Sequence, residues 1–193
     1  GRIHFPFISC EKSLNIIRTA KKRGLKVTCG VSIEHLFFTD DSLFSYDPNF
    51  KIHPPLRTEN DREALRSGLL DGTIDLVSSM HEPVNIEHKK VEFTKALDGS
   101  IGLESFFGIL NSIFTLEKTI SFLTNGKDLF KIKNPKLEIG EKANLTMFCP
   151  DTTYDLKEEN IISKSKNCAF INSSLKGKVF GIINGENIAL NSE

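Results

Sequence analysis

The sequence lacks several features by which particular classes of protein are recognised. It has no tryptophan and only four cysteines in 193 residues, and no two cysteines form a CxxC pair. We therefore expect reduced thiols rather than a disulfide scaffold or a zinc site of the CxxC type. The 25 Lys and Arg residues equal the 25 Asp and Glu residues. Without a basic excess, the composition gives no reason to expect nucleic-acid binding.

Long apolar runs are also missing. The longest, such as Val179-Phe180 leading into Ile182-Ile183, fall far short of the ~20 residues of a membrane span. No basic and apolar leader precedes Arg2, so neither membrane insertion nor export is expected, and we predict a cytoplasmic location. The zero net charge and 15 phenylalanines favour self-association.

The first half of the chain alternates between strand and helix patterns. Apolar strands are predicted over residues 3–9, 25–31 and 73–79, and helices over residues 11–23 and 60–70. Such alternation predicts a parallel sheet covered by helices. In folds of this kind the loops after the carboxyl ends of the strands carry the chemistry. Any functional residues are therefore expected in residues 9–10, 32–57 and 80–102.

The second half has a different pattern. Helices are predicted over residues 102–113 and 116–123, with Thr115 as the N-cap of the latter. From Pro135 onward the apolar residues fall in short pieces, at residues 144–149, 152–155, 178–183 and 188–190. Asn184-Gly185 between two such pieces indicates a β-hairpin. The sequence thus predicts two domains, residues 1–134 and a small antiparallel β unit at residues 135–193.

Eight segments, in the same order, resemble the dihydroorotases of the bacterial multifunctional-complex type. They are GLKVTC (24–29), HL with TD (35–40), PPLR (54–57), DREAL (61–65), DGTID (71–75), GLE (102–104), SKSKN (163–167) and LKGKV (175–179). Such enzymes interconvert carbamoyl-aspartate and dihydroorotate in pyrimidine synthesis. The resemblance covers this whole chain but only the last part of the family's length.

The resemblance implies an α/β fold, namely a partial (β/α) barrel followed by the small antiparallel β unit. The family has an eight-stranded barrel, and residues 3–9, 25–31 and 73–79 would be its sixth, seventh and eighth strands. The first five strands, with the metal ligands that they carry, have no counterpart in the sequence.

The departures from the family pattern fall on its catalytic positions. Phe7 stands where a zinc-ligating histidine is expected, and Met80 stands where an aspartate approaches the metal and shuttles the proton. Phenylalanine has no lone pair for a metal, and a thioether cannot exchange a proton at neutral pH. Val84 replaces a substrate-binding histidine, and His53 replaces an asparagine that hydrogen-bonds the substrate. By the resemblance, His53 and Gly99 are at most remnants of a substrate site.

Other polar residues are weaker candidates. Glu82 could stand in for the lost aspartate, but it lies two residues beyond Met80 and is expected to point elsewhere. His81 and His35 match family histidines without a direct chemical role, and His88 lies in a charged run typical of a solvated surface. We therefore expect no catalytic residue, no metal ligand and no cofactor in this chain, although the family uses zinc.

Three functions remain open at the level of sequence. An inactive dihydroorotase-like protein could assemble with aspartate transcarbamoylase, as the resemblance suggests. Alternatively, the chain could be a fragment of a zinc-dependent cyclic-amide hydrolase that a missing N-terminal half completes. A scaffold without a link to pyrimidine synthesis is the third reading. In each case we expect a homo-oligomer or a complex rather than an isolated monomer.

Overall fold

A computed structural model describes residues 1–133 and 135–191 of the chain. Their contacts divide the chain into two compact units, Gly1–Phe106 with Leu156–Ser173 and Phe107–Asp155 with Ser174–Glu193. The predicted boundary between residues 134 and 135 falls at Asn134, which lies outside the described residues, and that boundary stays a prediction.

The first unit contains a three-stranded parallel sheet. Its strands are β1 (Ile3–Phe5), β2 (Val27–Ser32) and β3 (Leu76–Ser78), in the order β1-β2-β3. Ile3 pairs with Val27 and Gly30 pairs with Leu76, both in parallel register. The predicted parallel α/β sheet is confirmed, but three strands do not close a barrel within the described residues.

Three helices belong to the same unit, namely α1 (Glu11–Lys22), α2 (Ile33–Phe37) and α3 (Glu59–Leu70). Leu14 of α1 is buried, and a Cβ added at Gly68 of α3 would lie 2.7 Å from a methyl group of Leu14. The two helices therefore approach closely through their apolar stripes, as the helical spacing predicts. Both helices match their predicted ranges to within one residue.

Two strands are shorter than predicted, for local reasons. β1 ends before Pro6, because proline has no N–H to donate to the ladder, although the Ile8 N–H still donates to the Gly30 carbonyl at 2.9 Å. β3 begins only at Leu76, since the Ile74 N–H donates back to Gly68 of α3.

The second unit contains α4 (Phe106–Ile113), α5 (Leu116–Thr124), α6 (Gly126–Leu129) and a second three-stranded sheet. The strands of this sheet are β4 (Asn144–Asp155), β5 (Ser174–Asn184) and β6 (Asn187–Leu190), all antiparallel. The two predicted pieces at residues 144–149 and 152–155 form one strand, with register shifts between them. The predicted antiparallel unit, the hairpin at Asn184-Gly185 and the Thr115 cap of α5 are confirmed.

Helix α4 packs against the β4–β5 pair. Asn111 donates from Nδ2 to the carbonyls of Pro150 at 2.8 Å and Lys176 at 3.0 Å. Gly177 has a φ of 101°, and an added Cβ there would lie 2.5 Å from the Phe107 ring. Glycine at this position therefore serves both the backbone conformation and the close approach of the helix.

Short 3-10 helices fill the longer connections of the first unit, at Asp40–Ser45, Pro48–Phe50, Ile86–His88 and Glu158–Asn160. No helix in the described part of the chain is long and apolar enough to cross a membrane.

Candidate functional site

The carboxyl ends of β1 and β3 meet in an apolar cluster. Ile52, Leu56 and Met80 are buried together, and Phe7 packs against them. Phe38, Leu43 and Phe50, which are partly buried, complete the cluster. The two positions that the resemblance assigns to metal chemistry, Phe7 and Met80, therefore lie in one cluster of apolar side chains.

Met80 has an unusual backbone conformation for its residue type. Its φ is 40°, in the left-handed region, and its side chain is only 3% exposed. Its N–H donates to the Ser78 hydroxyl at 3.0 Å. A left-handed conformation is uncommon outside Gly, Asn and Asp, and it persists where the surroundings determine it. Burial of the thioether in the cluster is such a determinant.

The segment after β3 is held by one buried side chain, Asn167. Its Oδ1 accepts from the Val84 N–H at 3.1 Å and from the Ser165 hydroxyl. Its Nδ2 donates to the carbonyls of Glu82 and Gly99, each at 3.0 Å. Asn167 thus joins the Glu82–Val84 segment to Gly99, although in the sequence it is only the last residue of the SKSKN segment. A polar residue in a strand-poor, lysine-rich stretch gave no sign of this role.

Gly99, one of the two predicted remnants, lies next to Val84, which stands at a replaced family position. A Cβ added at Gly99 would be 3.0 Å from Cγ2 of Val84, and φ of Gly99 is 124°. The Gly99 N–H donates to the Lys51 carbonyl at 2.9 Å. His53 directly follows Ile52 of the apolar cluster, but its own side chain is exposed. The assignment of these residues to a substrate site stays a prediction.

Glu82 and His81 lie outside the apolar cluster. Glu82 is exposed, so its carboxylate is not buried beside Met80. His81 bridges Ser100 through the backbone, and its Nδ1 lies 3.4 Å from the Leu103 N–H. Both observations favour a structural role, and not a catalytic one, for the segment after Met80.

Two buried titratable residues occupy α2. Neither carboxylate oxygen of Glu34 has a hydrogen-bond partner with normal geometry, and burial raises the pKa of this carboxyl to about 8. Next to it, Nε2 of His35 lies 3.0 Å from the Pro54 carbonyl, so Nε2 carries the proton. Nδ1 of His35 then accepts from the Ser32 hydroxyl at 2.7 Å. Burial lowers the pKa of His35 to about 4, so the ring is neutral at pH 7.

Neither of the two buried thiols of this unit, Cys29 and Cys168, is an activated nucleophile. Burial raises the pKa of Cys29 to about 11, and it does the same for Cys168. A thiol with such a pKa is almost fully protonated at neutral pH, and it is therefore a poor nucleophile. The four cysteines Cys10, Cys29, Cys149 and Cys168 are not joined to one another.

The residues at the strand ends do not fit the zinc that the resemblance implies. A catalytic zinc needs three protein ligands with nitrogen, oxygen or sulfur donors. Within residues 1–133 and 135–191, no three His, Cys, Asp or Glu side chains converge in a way that could hold a metal ion. Phe7 and Met80 instead present a ring and a thioether inside an apolar cluster. No step of catalysis is therefore assigned to a metal in this chain.

Comparison with known proteins bears on the resemblance. The chain is 36% identical to the dihydroorotase of Geobacter metallireducens over 191 residues, which cover 95% of this chain and 45% of that protein. It is also 36% identical to the dihydroorotase of Bacillus cereus over 197 residues, covering 98% of this chain and 46% of the relative. The chain is homologous to the dihydroorotases. It spans less than half the length of these relatives, and no family model matches it.

Solved structures of similar fold include hydantoinases and a dihydroorotase-like domain. The chain aligns with L-hydantoinase from Arthrobacter aurescens at a TM-score of 0.84 and 22% identity, covering 100% of this chain and 46% of that one. It also aligns with the inactive dihydroorotase-like domain of the CAD-like multifunctional protein of Chaetomium thermophilum, at a TM-score of 0.71 and 22% identity. That alignment covers 97% of this chain and 51% of the domain. At these identities the likeness concerns the fold alone.

Proposed function

We propose that this chain is the C-terminal part of a dihydroorotase-like protein of the pyrimidine pathway that does not catalyse ring opening. In this proposal it acts as an assembly or regulatory partner of aspartate transcarbamoylase. The observation that carries the loss of activity is the apolar cluster of Ile52, Leu56 and Met80, with Phe7 packed against it.

The cluster is unsuited to the family reaction for two physical reasons. Ring opening in the family uses a metal-bound hydroxide, and metal binding lowers the pKa of water to about 7. Phe7 offers no ligand, and Met80 offers no group that exchanges a proton at neutral pH. The substrates are also anionic, and an unpaired charge placed among apolar side chains costs several kcal/mol.

Contacts that maintain the fold are present in this chain. They support the loss of catalytic residues in a protein that still folds. Arg57, in the PPLR segment, still reaches Ser9 from Nε to Oγ at 3.4 Å. Asn167, in the SKSKN segment, still holds three backbone groups of the neighbouring segments. An inactive dihydroorotase-like domain is also known on the same fold, in the multifunctional protein of Chaetomium thermophilum.

An assay of dihydroorotate ring opening tests the catalytic part of the proposal. With zinc supplied and an active relative as the positive control, we expect no turnover above background from the wild type or from Met80→Asp. Met147→Asp introduces the same carboxylate at a partly exposed methionine and serves as the matched control for folding. Turnover in the wild type would contradict the proposal. Turnover in Met80→Asp alone would show that a functional metal site exists in spite of Phe7.

Sedimentation with the aspartate transcarbamoylase of the same organism tests the partner role. We expect a complex that contains both proteins at micromolar concentration. If the two proteins sediment independently, the partner role in the proposal is wrong, and the chain is an inactive scaffold without this partner.

One observation favours a second candidate, a hydrolase fragment that a missing N-terminal half completes. β1 pairs with β2 on one side only, and a groove of about 700 Å³ lies beside it, between β1 and α1. Ile3, Phe5 and Ile16 line this groove and are substantially exposed. The intact mass and zinc content of the natural protein separate the two candidates. A longer protein with tightly held zinc would favour the hydrolase. A protein without zinc would favour the inactive partner.

A further inference from the structure

A lysine-rich cleft of about 840 Å³ opens in the first unit. It lies between residues 83–90, residues 164–171 and the turn that contains Asp47 and Asn49. Four lysines line it, namely Lys89, Lys90, Lys164 and Lys166, against two acidic residues, Asp47 and Glu158. The walls therefore carry a formal charge of +4 − 2 = +2 in a chain whose net charge is zero.

Two of the lysines are fixed in the wall. The ammonium of Lys89 is buried and donates to the Pro48 carbonyl at 2.8 Å and the Lys51 carbonyl at 3.4 Å. Lys166 donates to the carbonyl of Ile161. Burial lowers the pKa of Lys89 to about 8, against the opposing effect of Asp98 and Asp47, so most of this ammonium is still charged at pH 7. These charges are held in place before any ligand arrives, which reduces the entropy lost on binding.

The other two lysines are exposed and line the cleft from two different segments of the chain. Lys90 lies on the segment after the Ile86–His88 turn, and Lys164 lies on the segment anchored by Asn167. Within the described residues, none of the four ammonium groups forms a salt bridge with a carboxylate. The positive charge of the cleft is therefore not neutralised by direct ion pairs.

The remaining lining selects among anions. The cleft has no arginine, so an anion there would meet the compact ammonium groups of lysines and not the planar guanidinium fork, which pairs with carboxylates and phosphates alike. Compact ammonium groups suit the oxygens of a phosphate group, which carries a charge of about −1.5 to −2 near pH 7. Val84, Ile86 and Ile171 add an apolar wall, and the volume lies within the roughly 300–1,000 Å³ typical of small-molecule sites.

We propose that this cleft binds a small phosphate monoester, with the phosphate group between Lys90 and Lys164 and an apolar or planar body against Val84, Ile86 and Ile171. The proposed binding does not require dihydroorotase activity, since neither Phe7 nor Met80 lines the cleft, although Val84, at the position where the resemblance places a substrate-binding histidine, does line it. It would give the chain a small-molecule site of its own.

Titration with phenyl phosphate, followed by amide NMR shifts at low ionic strength, tests the proposal. We expect saturable binding that shifts amides of residues 84–90 and 164–171, and weaker binding of both inorganic phosphate and benzoate. Lys90→Gln and Lys164→Gln should each weaken phenyl phosphate binding roughly tenfold, about 1.4 kcal/mol in free energy. Lys12→Gln removes the same charge from an exposed position of α1 outside the cleft, and it should leave the affinity unchanged.

Three outcomes would overturn the proposal. One is the absence of saturable binding at millimolar phenyl phosphate. A second is equal weakening by Lys12→Gln and Lys164→Gln, which would indicate non-specific attraction. The third is equal affinity for inorganic phosphate and phenyl phosphate, which would leave the apolar wall without a function. Thermal unfolding of each variant shows whether the exposed substitutions leave the fold intact.

Discussion

Glu34 and His35 are adjacent in α2. Burial raises the pKa of Glu34 and lowers the pKa of His35, so it favours the uncharged form of each side chain. The carboxyl of Glu34 has its pKa raised from 4.5 to about 8, and the imidazole of His35 has its pKa lowered from 6.5 to about 4. Both side chains are therefore uncharged over much of the neutral range. His35 is fully hydrogen-bonded in its neutral form, whereas Glu34 has no hydrogen-bond partner.

The two residues change stability in opposite directions as the pH rises, over ranges that overlap between pH 4.5 and 6.5. The unfolded chain ionises Glu34 near pH 4.5 and the folded chain only near pH 8, so its contribution to stability is lost as the pH rises between these values. His35 contributes stability that is present above pH 6.5 and is lost as the pH falls through about 4. Between pH 6.5 and 8, the slope from Glu34 therefore dominates.

Glu34→Gln is expected to remove the loss of stability between pH 6.5 and 8, because glutamine keeps the size of the side chain without an ionisable proton. Its Tm at pH 8 should exceed that of the wild type by roughly 4 °C or more. Thermal unfolding followed by circular dichroism across this range measures the effect. Glu87→Gln, on the exposed Ile86–His88 turn, is the matched control and should retain the wild-type profile. A variant profile parallel to that of the wild type would show that Glu34 is solvated when folded.

At the scale of elements, α1 and α3 share one carboxylate. Cys10, the N-cap of α1, makes no side-chain capping bond, and the Glu11 N–H instead donates to Oδ1 of Asp61 at 2.9 Å. Asp61 also accepts from the Thr58 hydroxyl, the N-cap residue of α3, at 2.8 Å. A free N–H at a helix start needs an acceptor, so Asp61 completes the cap of a neighbouring helix from within its own.

Asp61→Ala is expected to lower the free energy of unfolding by about 1–2 kcal/mol, since it removes an acceptor at two helix starts. Urea unfolding at pH 7 provides the measurement. Glu63→Ala changes an exposed carboxylate of the same helix, whose ion pair with Arg66 lies at the surface, and should cost no more than about 0.5 kcal/mol. Equal losses from the two substitutions would mean that only the surface charge of α3 matters.

At the scale of the whole molecule, both sheets have strand edges that no other described residue pairs with, and they expose apolar side chains. Within residues 1–133 and 135–191, β1 has one strand neighbour, and Ile3 and Phe5 on it are 54% and 42% exposed. In the other sheet, Ile188 and Leu190 of the outer strand β6 are 65% and 68% exposed. Open edges with apolar residues are sites of pairing with another chain.

We expect light scattering at micromolar concentration to show a dimer or a larger assembly of the chain. Phe5→Glu should shift the distribution toward the monomer, because it places a charge in the groove beside β1. Phe44→Glu, at a 79% exposed residue outside that groove, should leave the assembly unchanged. A 21.6 kDa monomer of the wild type would contradict the prediction.

Local pattern was sufficient for α1, α3 and α5 and for the general order of elements, whereas α2 and α6 were not predicted and α4 begins at Phe106 instead of residue 102. The apolar spacing of α1 and α3 and the Asn184-Gly185 turn act through neighbours within a few residues, so their structural consequences are visible in the sequence. The resemblance to dihydroorotases was equally accessible, because it rests on segments in a fixed order. The identity of the replaced residues, Phe7 and Met80, also came from the sequence alone.

Only the tertiary structure decided what those replacements form together. Phe7 and Met80 are 73 positions apart, and their packing with Ile52 and Leu56 depends on parallel strands that bring distant loops to one edge. The same holds for Asn167, whose four hydrogen-bond partners include backbone groups 68 to 85 residues away. Burial of Glu34 and the gathering of four lysines in one cleft likewise arise from long-range packing. The sequence determined the chemical groups and the local elements, whereas the fold decided which of those groups share an environment.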